Sequence, residues 1–146
     1  MTSSCRLLCL FLLGVLSLCV GCGKEEARRI PPEVESTIGT VTDDITNERY
    51  EKIYNEASDL WREAATLDQS IEVFKKLKTK LGKIENRALS SAIEQNNSGG
   101  PLKGHAFIDT YQTKFEHGEG METFTLIEKN GKWLLARYFV NSTALN

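Results

Sequence analysis

The longest apolar run lies at the amino end, where residues 7–20 hold only Gly14 and Ser17 among leucines, valines, cysteines and a phenylalanine. It is too short for a spanning helix, which needs about 20 apolar residues. Residues 23–32 are charged and end in Pro31-Pro32. From Pro32 the apolar period is helical: Val34, Ile38, Val41 and Ile45 share a face, while Glu33 and Glu35 suit the positive end of the helix dipole. Thr46-Asn47 breaks this helix, and Tyr50, Ile53, Tyr54 and Ala57 begin a second apolar stripe. Ser58-Asp59-Leu60-Trp61 reads as a turn into a short helix or as more of the same helix. A further helix carries Ile71, Phe74, Leu77 and Leu81 on one face, with Asp68 as its expected cap and Gly82 as its stop.

After Gly82 the period shortens to two. Residues 84–94 are a candidate strand, and Asn96-Asn97-Ser98-Gly99-Gly100-Pro101 is a loop. Residues 105–116 alternate, with Phe107, Asp109, Tyr111, Thr113 and Phe115 on one face. His117-Gly118-Glu119-Gly120 is the expected turn, Met121–Glu128 the next strand, Asn130-Gly131 a tight hairpin and Lys132–Val140 the last strand. The last strand is apolar on both faces, as expected of a central strand or of a sheet whose outer face packs on a second subunit. Helices followed by a four-stranded antiparallel meander give an α+β class, with the amino-terminal helices packed on a curved sheet.

Composition narrows the function. The 18 Lys plus Arg against 20 Asp plus Glu leave a net charge of -2, without the basic footprint of a nucleic-acid binder. The four cysteines are Cys5, Cys9, Cys19 and Cys22, so a disulfide framework or Cys-based zinc site is excluded from the folded part. The run at 7–20, following a segment whose one charged side chain is Arg6, reads as a secretory signal peptide. Val20-Gly21-Cys22 then resembles the lipobox of bacterial lipoproteins, with Cys19 departing from the usual leucine three residues before the modified cysteine. The resemblance implies a leader over residues 1–21, acylation of Cys22 with palmitate-like chains and a tether over 22–32, which leaves 33–146 for the folded domain. Membrane lipid is then one partner. Gly23 in place of an aspartate favours the periplasmic face of the outer membrane if the host has two membranes.

Three stretches resemble the nuclear-transport-factor-two-like (cystatin-like, SnoaL-like) superfamily across residues 34–141. They are Asp44–Tyr54, Lys80–Ile84, and Glu122–Leu126 with Gly131–Leu135 and Tyr138. The resemblance implies helices over a concave sheet, enclosing a pocket or a filled core; fold likeness alone assigns no chemistry.

The candidate pocket residues are Asp109, Tyr111, Glu122 and Tyr138. Asp109 mid-strand, in phase with aromatics, would act as a general base if buried in an open pocket, and otherwise faces solvent or pairs with Arg137 or Lys114. His105 and His117 bracket one strand about 40 Å apart and cannot share a metal, so no metal or other cofactor is expected. Lys76, Lys80 and Lys83 lie opposite the Phe74, Leu77 and Leu81 stripe and read as a solvated face. The expectation is a lipid-anchored envelope protein without catalytic activity, acting as a binding or assembly module, with a homodimer or another envelope protein as its partner. The rival is a small lyase, isomerase or hydrolase using Asp109 with Tyr111.

Overall fold

The computed structural model describes residues 30–146; the expected leader, Cys22 and most of the expected tether lie outside the described residues. Helix α1 (Pro32–Thr46) starts at a proline whose missing N–H costs nothing in the first turn, and buries Val34, Ile38 and Val41. Each such aliphatic contributes about 1.5–3 kcal/mol when fully buried. Helices α2 (Tyr50–Glu56) and α3 (Asp59–Ala64) are separate, so Ser58 begins a new helix. Helix α4 (Leu67–Leu81) is capped by Thr66 rather than Asp68. The Thr66 hydroxyl accepts the Gln69 N–H, and the Gln69 side chain accepts the Thr66 N–H, a reciprocal box that leaves Asp68 in the first turn.

Strands β1 (Ile84–Asn97), β2 (Gly104–Phe115), β3 (Gly118–Lys129) and β4 (Lys132–Asn141) form one open antiparallel sheet in the order β1-β2-β3-β4. Together with the helices they make an α+β fold. Strand β1 runs three residues past its expected end, drawing Asn96 and Asn97 into pairs with His105 and Gly104. The turn before β3 is shorter than expected: Glu116 and His117 make it, and Gly118–Gly120 are already paired to β2. Gly120 is needed in the strand because a Cβ there would lie 2.7 Å from the Asn141 carbonyl oxygen. Asn130 and Gly131, both with positive φ (52° and 73°), make the predicted tight hairpin.

A register shift between Thr125 and Leu126 explains the two-sided apolar character of β4. Leu135 pairs with Leu126 but Arg137 pairs with Thr125, so Ala136 is an extra residue and the alternation changes phase there. Leu135 and Tyr138 therefore both face the helices, while Ala136 packs behind the sheet with Ala106, Ile127 and Leu60. The Ser58 N–H donates to the Leu135 carbonyl at 2.9 Å, tying the start of α3 to the β4 edge. A 3-10 turn (Thr143–Leu145) closes the chain against α4 and β3.

Candidate functional site

The concave face of the sheet is occupied by aromatic rings. Phe74 from α4 stacks on Tyr50 (5.3 Å between centroids), Trp61 (5.9 Å) and Tyr138 (5.8 Å). Phe124 continues the set to Tyr138 at 5.0 Å and Tyr111 at 5.9 Å. Val34, Ile38 and Val41 cover it from α1, with Phe107, Leu126 and Leu135 beneath.

Glu122, fully buried, is the centre of a closed polar cluster within this core. Its Oε2 accepts from Arg87 Nε at 2.7 Å and from the Thr113 hydroxyl at 2.5 Å, while Oε1 accepts from the Tyr138 hydroxyl at 2.5 Å. Arg87 also donates to the Thr42 hydroxyl at 2.6 Å, and its guanidinium lies over the rings of Phe124 and Tyr111 at 5.2 and 5.5 Å. One carboxylate thus joins α1 and all four strands. Burial, followed by the charge of Glu122, raises the Tyr138 phenol well above its ordinary value, so it stays a donor at physiological pH.

Asp109 stands apart. It is fully buried opposite Phe124 and Ala92, neither oxygen reaches solvent, and no group among the described residues hydrogen-bonds to it. Desolvation pushes its pKa up to about 6. Neither expected partner is there: Lys114 pairs with Glu85 at the surface, and Arg137 is exposed beside Thr125. Tyr111, two residues on, is pushed up to about 12 by burial and the Asp109 charge. Its ring lines a shallow groove with Glu35, Gly39, Thr42 and Arg87.

An apolar cleft of about 160 Å³ opens between the end of α1, α4 and the β1–β2 end of the sheet. Ile45, Phe74, Leu77, Leu81, Phe115 and Tyr138 line it, and its two charged lining residues are Lys78 and Lys83. Lys78 pairs with Glu48, whereas Lys83 is exposed and has no ion-pair partner among the described residues. An engineered apolar cavity of about 150 Å³ holds benzene, so the space suits a six-carbon group.

His105 bridges strands. Its Nδ1 lies 2.9 Å from Glu128 and its Nε2 2.6 Å from Glu94, with the Trp133 ring edge-on at 4.8 Å. The Glu128 and Glu94 carboxylates raise its pKa. His117 sits in the turn at the other end of β2, where its N–H donates to the Leu81 carbonyl. Among the described residues no three metal-ligating side chains converge, and no helix is long and apolar enough to cross a membrane.

All four candidate pocket residues lie on the concave face, but they do not form one pocket. Tyr138 lines the apolar cleft, Tyr111 the groove, and Glu122 and Asp109 are sealed below. Sequence reasoning missed Arg87, Thr113 and Thr42 as partners of the cluster. Arg87 in particular lies in β1, where register shifts between Ile84 and Asn86 and between Leu89 and Ser91 erase the alternation that would have placed it inward.

The sequence model of a family described as "Protein of unknown function (DUF4019)" matches residues 40–138, and the chain belongs to that family. No match was found among curated proteins.

Proposed function

We propose that this member of the DUF4019 family is a lipid-anchored envelope protein whose domain binds a ligand without transforming it. The observation that carries the binding reading is the contrast on the concave face. Asp109 and Glu122 are sealed, the latter with three donors, while the accessible cleft beside Tyr138 is apolar, with Lys83 unpaired among the described residues. That lining suits a small apolar group bearing an anion. Calorimetry on residues 22–146 is expected to show binding of hexanoate and not of hexylamine. Equal binding of both, or of neither, overturns the reading.

The anchor rests on the leader and on Val20-Gly21-Cys22. Acyl chains contribute about 0.8 kcal/mol per buried CH₂, so two or three hold the domain to a membrane without help from its surface. Gly23 supports the outer membrane as the destination where the host has one. The helix-then-meander order supports placement among nuclear-transport-factor-two-like domains. Growth with an alkyne fatty acid should label the full chain, and label surviving Cys22→Ala would sink the anchor.

The catalytic reading keeps one observation in its favour, the raised pKa of Asp109. It also requires a reagent to reach that carboxyl. Hydrophobic carbodiimide at pH 6 is expected to leave Asp109 unmodified in the folded protein; modification as fast as at exposed carboxylates would favour a lyase, isomerase or hydrolase.

A further inference from the structure

The two edges of the sheet are treated differently. The β4 edge receives the Ser58 N–H and packs against α1 and α3. Among the described residues strand β1 pairs only with β2, and its 14 residues are partly or fully exposed throughout. Lysine and proline, two of the usual guards of a bare edge, are both missing from Ile84–Asn97, which carries two register shifts and three charged residues instead. Leu89 and Ile93, 46% and 43% exposed, lie on this strand.

The geometry points to a second copy of this chain as the occupant of that edge, paired antiparallel to β1 about a two-fold axis between Ser90 and Ser91. That point is the centre of the strand, so all of Ile84–Asn97 is used. The register sets Ser90 against Ser91, Leu89 against Ala92, Ala88 against Ile93, and Arg87 against Glu94, with no like charges opposed. A slip that sets Glu85 against Glu94 is disfavoured.

The bulge makes this register possible. Partners in it have opposite parity, and in an unbroken strand they would lie on opposite faces. The shift between Leu89 and Ser91 changes the phase at the centre of the strand. Leu89 and Ala92 then both face the concave side, opposite Tyr111 and Asp109, and Ala88 and Ile93 both face the other, opposite Gln112 and Ile108. Concave meets concave across the axis, and two four-stranded sheets become one of eight. Arg87 stays on Glu122, and Glu94 on His105, so the pairing rests on backbone hydrogen bonds and the Leu89–Ala92 and Ala88–Ile93 contacts. A two-fold normal to the sheet leaves both α1 helices on one side, as two chains tethered to one surface require.

The test places the photo-reactive amino acid p-benzoylphenylalanine at position 91, or at exposed Phe139 as a control, in the full membrane-bound chain. A covalent homodimer from position 91 is expected, reduced about tenfold or more when Ser90→Lys is added. Circular dichroism of the Ser90→Lys chain checks that it is folded; if it is not, Ile93→Lys takes its place. No homodimer from position 91, a homodimer only from position 139, or one from position 91 that persists in the folded lysine variant overturns the proposal.

Discussion

Asp109 costs the fold stability at neutral pH, because its carboxylate is desolvated without a donor. Its folded pKa of about 6 lies above the ordinary 3.8, so its contribution is fully present below pH 3.8 and lost as pH rises through 6. The shift corresponds to a loss on the order of 3 kcal/mol. Asp109→Asn should remove that pH dependence, so that urea midpoints of wild type and variant diverge between pH 4 and 7 in favour of the variant. Parallel curves would show that Asp109 has a donor after all. Glu122, unlike Asp109, has three donors. Arg87→Met should cost about 3–5 kcal/mol by leaving a buried charge unpaired, whereas Arg87→Met with Glu122→Leu should cost much less. Double-mutant urea denaturation decides this, and additive losses would contradict it. The spacing to Phe107 and Tyr111 put Asp109 in phase with aromatics but left open whether that face was buried, and the solvent-facing or paired alternative is not what the structure shows. The partnering of Glu122 was not legible in the sequence, because Arg87, Thr113 and Tyr138 reach it from three strands and only the three-dimensional register brings them together.

At the scale of elements, two glycines should respond in opposite directions. Gly39 sits mid-helix with open space where a Cβ would go, so Gly39→Ala should stabilise by about 0.5–1 kcal/mol. Gly82 ends α4 at φ +75°, and a Cβ there would lie 2.7 Å from that of Glu116. Gly82→Ala should therefore destabilise by more than about 1 kcal/mol, and thermal denaturation of both variants checks the signs. The α1–α2 junction is held by buried Asp44, which accepts from Arg49 Nε at 2.6 Å and Lys52 Nζ at 2.8 Å. Burial alone would raise its pKa, but Lys52 and Arg49 together hold it below the ordinary 3.8. Its stabilisation is present above that value and lost as pH falls through the folded pKa. Asp44→Asn should cost about 2 kcal/mol at pH 7 and less as pH falls below 4. The helices and hairpins were readable from period and turn residues. The Thr66 cap was also present in the sequence as Thr66-x-x-Gln69, a capping-box signature passed over for the neighbouring Asp68, whereas the phase change at Ala136 was not, since a bulge leaves no local composition signal.

For the whole molecule, the helix-then-meander order was enough to predict the layers. It could not say whether the concave face is hollow, because that depends on how Trp61 and Phe74 stack on Tyr138. With that face filled, the proposed site for an apolar anion is the cleft between α4 and the sheet. The most direct measurement is a two-dimensional NMR titration of residues 22–146 with hexanoate. Saturable shifts centred on Phe74, Leu77, Leu81 and Phe115, with Phe107 and Asp109 unmoved, are the predicted result. No saturable shift, or shifts centred on Asp109, would contradict it.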